Sequence, residues 1–171
     1  MNLWRCIAGL LAALGAAPLM AQPELRCTLE LPAVTVVGQP LPARFSLHNP
    51  GPEGVALLPW GTPFEGSWLG ASVEVIGPKG RLPYQGPQVK RAAPRAEHYL
   101  RLAPGQTVTV ELDLSAVFAL DRPGRYRVRP RIQAPDVLAD TAADLPWPRA
   151  EPHEQRLCCP EVRFQRRAAP R

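Results

Sequence analysis

The chain has 171 residues, with 20 Lys and Arg against 15 Asp and Glu, a formal charge of +5, and 22 Pro beside 13 Gly. So many helix breakers exclude a fold built on long helices, and so small a charge excess keeps a domain soluble without implying nucleic acid. No Lys/Arg run is interleaved with stacking aromatics, which argues against a nucleic-acid partner.

The opening stretch, MNLWRCIAGLLAALGAAPLMAQ, sets one early charge, Arg5, before an apolar run from Ile7 to Leu14 and small residues up to Ala21. This is the layout of a secretory signal, and the run is shorter than the ~20 residues that span a bilayer. Residues 1–21 are expected to be a signal peptide cleaved after Ala21. The rest is expected to be exported, periplasmic or secreted, without stable membrane insertion. The remaining length suits one domain with a true core.

Residues 22–133 read as short strands separated by turns, the pattern of an all-β, immunoglobulin-like antiparallel β-sandwich. CTLEL (27–31) alternates, ARFSLHN (43–49) follows a QPLP turn, and VALLP (55–59) is apolar on both faces. ASVEVIG (71–77) and RLPY (81–84) flank the turn PKG, and HYLRL (98–102) leads into TVTVELDL (107–114). In that strand Val108, Val110, Leu112 and Leu114 share the inward face, with Thr107, Thr109, Glu111 and Asp113 outward. SAVFAL (115–120) has room for a turn or two of helix.

RYRVRPRI (125–132) alternates most clearly, with Tyr126, Val128 and Ile132 inward. Arg125, Arg127, Arg129 and Arg131 form an outward basic strip. The preceding DRPGRY resembles a tyrosine corner, which places this strand and 107–114 in opposite sheets. The arginines would then lack Glu111 and Asp113 as neighbours, giving either a solvated face or a docking strip for an acidic partner. A Pro- and Ala-rich loop is expected over 134–155, then a closing strand, 156–165, and a frayed tail, 166–171.

Catalytic motifs are absent from the sequence. His153-Glu154 begins like a zinc-protease helix, but HEQRL places Leu157 where the second imidazole belongs. There is no GxSxG, no phosphate-cradling Gly loop and no CxxC, so neither catalytic residues nor cofactors are assigned. Cys27, Cys158 and Cys159 remain after the signal, and cysteines of exported proteins favour bridges over metal. Face counting aims Cys27 inward with Leu29, and Cys158 inward with Val162 and Phe164. The expectation is a Cys27–Cys158 disulfide with Cys159 a free thiol. The alternative is a small secreted metal-binding protein or enzyme using His153, Cys158 and Cys159.

Four stretches occur in order: LHNPGPEGVALLPWGTPFEG, LPYQGPQVKRAAP, LAPGQTVTVELDL and DRPGRYRV. Together they resemble the β-rich N-terminal domain of bacterial deuterolysin-like (M35) metalloendopeptidases over roughly residues 25–132. The resemblance implies an accessory module without protease activity, since that family's HExxH helix lies downstream of the domain. It also implies that PWGTPFEG lies near the KRAAP stretch. Trp60, Thr62, Phe64, Glu65, Lys90 and Arg91 are therefore the candidate binding rim, for a protein partner such as a secreted peptidase. The competing reading is that Trp60 and Phe64 plug an open end of the sandwich, with Glu65 pairing Lys90 or Arg91.

Overall fold

The computed structural model describes residues 24–70, 72–140 and 153–170; the expected signal peptide lies outside them. In chain order the strands are β1 Arg26–Glu30, β2 Val34–Val36, β3 Pro42–His48, β4 Val55–Leu57, β5 Val73–Gly77, β6 Gly80–Arg81 and β7 Leu100–Leu102. They continue as β8 Thr107–Asp113, β9 Gly124–Pro130, β10 Ile132–Ala134, β11 Val137–Ala139, β12 Gln155–Leu157 and β13 Val162–Arg167. Short 3-10 turns cover Pro63–Glu65, Ala96–His98 and Leu114–Ala116. The fold is an all-β immunoglobulin-like sandwich, as its turn-punctuated alternation requires.

One layer contains the sheet β1-β3-β8, and a five-stranded sheet runs β2-β13-β9-β5-β6. Smaller sheets, β11-β4-β7 and β10-β12, complete the body. Pairing is antiparallel except between β13 and β2. Period-two alternation puts Cys27 and Leu29 of β1, Phe45 and Leu47 of β3, Tyr126 and Val128 of β9, and Phe164 of β13 into one buried cluster. β8 and β9 do lie in different sheets, and the Tyr126 hydroxyl donates to the Arg122 carbonyl at 2.8 Å. That is the tyrosine corner read from DRPGRY. Burial raises the phenol pKa of Tyr126.

VALLP is apolar on both faces because it faces two cores. Val55 and Leu57 join the main cluster, while Ala56 and Leu58 meet Tyr99 and Leu138 in a second one. The partner there is Asp136, fully buried, which accepts the Tyr99 hydroxyl at 2.6 Å. β11 therefore occupies a stretch expected to be loop, and β12 begins at Gln155 inside the same range. Three-residue strands are too short to announce themselves by alternation.

Two expected strands are broken by proline. After Pro130, which has no N–H to offer, the chain leaves β5 and pairs with β12 as β10. Between Leu157 and Val162, Pro160 interrupts the closing strand, so β12 and β13 are separate elements. Leu157 and Cys159 turn inward before the break, and Phe164 and Arg166 after it. The parity changes across Pro160. Consequently the disulfide is Cys27–Cys159, and Cys158 is the exposed free thiol, the reverse of the expected assignment.

The expected tail at 166–171 is corrected as well. Arg166 and Arg167 end β13, and Arg166 is buried, donating to the carbonyls of Val36 and Gln39 at 2.6 Å each. Its charge helps hold the Asp113 carboxyl below its ordinary pKa. Burial alone would raise that pKa, but hydrogen bonds from the Ser115 hydroxyl and the Leu41 and Ser115 amides outweigh it.

Candidate functional site

The PWGTPFEG loop leaves β4 and folds into one tight turn. Thr62 is fully buried; its hydroxyl donates to the Pro59 carbonyl at 2.6 Å and accepts the Phe64 amide at 3.3 Å. Pro63 opens the 3-10 turn, where a missing N–H costs nothing, and Gly66 ends it at φ 84°, a conformation that favours glycine. The turn sends its two aromatics in different directions. Phe64 meets Phe45 edge to face at 5.5 Å, against the main core. Trp60, half-buried, packs on the second cluster and lies 6.2 Å from the His98 ring.

Glu65 closes the turn on itself by accepting the Gly61 amide at 2.6 Å. Its two oxygens also receive the Arg91 fork, 2.7 Å from Nε and 2.5 Å from the terminal nitrogen. The Arg91 guanidinium sits 5.6 Å from the centre of the Trp60 ring, so one arginine ties the carboxylate to the indole. With only 25% of the Arg91 side chain and 16% of the Glu65 side chain exposed, this pair is shielded more than an ordinary surface bridge. Lys90, adjacent in sequence, is exposed and makes no ion pair among the described residues.

Arg91 reaches Glu65 because Tyr84 anchors the segment before it. The Tyr84 hydroxyl lies 2.9 Å from the Trp68 carbonyl and 3.0 Å from the Pro87 carbonyl, and the ring meets Phe118 edge to face at 5.8 Å. A Cβ at Gly86 would stand 2.3 Å from that hydroxyl, so only glycine lets the chain pass. Burial raises the Tyr84 pKa. Trp60, Thr62, Phe64, Glu65 and Arg91 thus form one corner at the end of the sandwich. Tyr84 and Gly86, not singled out as site residues, build its frame.

The basic strip is elsewhere, on the outer face of the five-stranded sheet, and as expected it lacks Glu111 and Asp113 as neighbours, since β8 lies in another sheet. Other acids, from β5 and the β12–β13 connection, stand beside it instead. Arg131 pairs with Glu74 at 2.7 Å and Arg129 with Glu161 at 2.5 Å. The Arg131 hydrogen bond holds the Glu74 carboxyl below its ordinary range, and the Arg129 bond does the same for Glu161. Arg129 is raised in return by Glu161. Glu111 pairs with Arg44 of β3.

The C-terminal His/Cys group does not assemble as a metal site. Cys159 is committed to the disulfide, and His153 Nδ1 lies 3.8 Å from Asp136. Residues 155–157 of HEQRL form extended β12, paired to β10, so His153 and Leu157 do not stand one helical turn apart. No cluster of three metal-ligating side chains occurs among the described residues.

No family model matches the chain. Over 84 residues, 49% of its length, it is 33% identical to an extracellular protease of Aeromonas hydrophila, and it spans about a quarter, 24%, of that protein. Two solved structures align over 85% of the chain with TM-scores of 0.35 and 0.32, too low to bear on function. They are the alkylpurine DNA glycosylase AlkC of Pseudomonas fluorescens bound to DNA containing an abasic site analog (15% identity, 31% of that chain) and a CARDB domain of Pyrococcus furiosus in complex with di-metal ions (13%, 94%). Similarity to part of an extracellular protease, together with a disulfide joining the first strand to the last connection, fits an exported protein.

Proposed function

We propose that this chain is an exported, non-catalytic protein-binding module that acts on a secreted peptidase, as its inhibitor or its chaperone. Its relationship would be to the N-terminal β-rich domain of the deuterolysin-like metalloendopeptidases. The observation that carries this reading is the 33% identity confined to about a quarter of an extracellular protease. A segment that matches part of a protease and folds as a sandwich is better suited to contact than to cleavage. The extended backbone of HEQRL supports the same reading, since it offers no pair of imidazoles for a catalytic zinc.

The contact surface would be the Trp60 corner. Interfaces concentrate their energy in partly buried aromatics and arginines, and here Trp60 and Arg91 are stacked and pre-ordered by Glu65. The test uses purified protein without its signal, added to the peptidase fraction of the producing organism's culture medium, with casein cleavage followed in time. Wild type should change the cleavage rate and co-purify with the peptidase, and Trp60→Ala should lose both while remaining folded. Chelator-sensitive casein cleavage by the purified chain alone, abolished in His153→Ala, would overturn the proposal. An unchanged rate with no co-purified peptidase would overturn it too.

A further inference from the structure

The outer face of the five-stranded sheet holds a second constellation, away from the Trp60 corner. β13 sets Arg163 directly opposite Arg127 of β9, and Gln165 opposite Arg125. Like charges directly opposite one another across an antiparallel pair destabilise the sheet. Among the described residues, carboxylates answer this charge at one end only. Glu74 takes Arg131 and Arg81, while Glu161 is shared between Arg129 and, at 3.1 Å, Arg163. Towards the other end Arg125 has no ion pair among the described residues, and Arg127 reaches Glu161 only through space. Arg125, Arg127, Arg163 and Gln165, with Ala33 and Ile76 beside them, line an open groove of about 600 Å³.

We propose that this groove binds an extended segment of a partner protein carrying carboxylates on alternate residues. Side chains on one face of a strand repeat every ~6.6–6.8 Å, so Arg125 and Arg127 present charge at the step at which an extended peptide repeats its own. Each guanidinium offers a fork that matches a carboxylate, and Gln165 adds an amide donor between strands. A bound carboxylate between Arg127 and Arg163 would also offset their opposition. Other occupants fit less well. A second copy of this chain brings a charge of the same sign, +5. A nucleic acid would find no stacking platform, because Tyr126 and Phe164 are 1% and 4% exposed.

The proposal rests on the protein-binding reading only for the nature of its occupant, since the groove and the Trp60 corner are different surfaces. Fluorescence anisotropy with a labelled peptide of five Glu-Gly repeats tests it, beside a Glu/Gly block peptide of equal composition and heparin as a sulfated polysaccharide. Wild type should bind the alternating peptide, and the double variant Arg125→Gln/Arg127→Gln should bind it about tenfold or more weakly. That variant should melt at the same temperature as wild type or about 1–3 °C higher, because an opposed pair is relieved. Should it fail to fold, Arg125→Gln alone, at an exposed side chain, should still weaken binding several-fold. Arg91→Gln should bind as wild type does, which separates failure here from failure at the corner. No binding by wild type, equal binding by the folded double variant, or equal binding of the block peptide would overturn the proposal. So would a preference for heparin over the alternating peptide.

Discussion

Arg91 and Arg127 are the same residue type, each partly shielded, on two surfaces of one sandwich. Arg91 gives both faces of its fork to Glu65 and lies over Trp60. Arg127 stands across from another arginine and has no direct carboxylate contact among the described residues. The first arginine stabilises the fold that holds it; the second costs it something. A guanidinium's contribution is set by what the neighbouring strands bring to it, and β5 and the β12–β13 connection bring too few acids for all the arginines of β9 and β13.

The largest expected effect tests what holds Glu161 in place. The disulfide closes a loop of sequence separation 132 and pins Cys159, two residues before Glu161. Cys27→Ser should lower stability by up to ~4–5 kcal/mol by the loop-entropy argument, with native strain reducing the figure. Denaturant melts of oxidised protein measure this. A loss below about 1 kcal/mol would mean that strand pairing alone fixes the connection. Non-reducing peptide mapping should recover Cys27 linked to Cys159.

At the corner the two aromatics should separate. Phe64→Ala removes a ring packed on Phe45 and should cost about 3 kcal/mol, the low end for core aromatics because Phe64 is only partly buried. Trp60→Ala should cost about half as much. Equal losses would show that the turn acts as one plug and would weaken the case for a contact surface. Between the arginines, Arg91→Ala should destabilise by about 1 kcal/mol, whereas Arg127→Gln should stabilise by a few tenths. The same sign for both would break the contrast drawn above.

Acid should erode the carboxylate-rich end of the arginine face. Glu74, Glu161 and Asp113 all have folded pKa values below their ordinary ones. Such groups stabilise the fold fully above their unfolded pKa, about 4, and lose that contribution as pH falls through the lower folded value. Thermal melts should therefore be flat from pH 7 to 5 and decline below pH 4, with Glu161→Gln showing a shallower decline. The smallest effect belongs to Cys158→Ser, at an exposed thiol, which should leave the melting curve unchanged.

Much of this was legible from local pattern. Inward and outward faces of β1, β3, β8 and β9 follow from alternation, and DRPGRY marked the corner at Tyr126. The pairing of Glu65 with Arg91 was expected as one of two options, but the stacking on Trp60 was not, because it depends on how the segment after Tyr84 crosses the PWGTPFEG turn, a contact between stretches far apart in the chain. The disulfide was assigned to the wrong neighbour for a single local reason. Face counting assumes an unbroken strand, and Pro160 breaks it.

The sequence by itself determined the all-β class, the short strands and the inward faces, because side-chain period and turn chemistry are properties of neighbouring residues. Tertiary structure decided which strands adjoin, and with that the pairing of Cys159, the burial of Arg166 and the number of acids reaching the arginine face. Those depend on partners far apart in the chain, and period-two alternation names a face without naming the strand beside it.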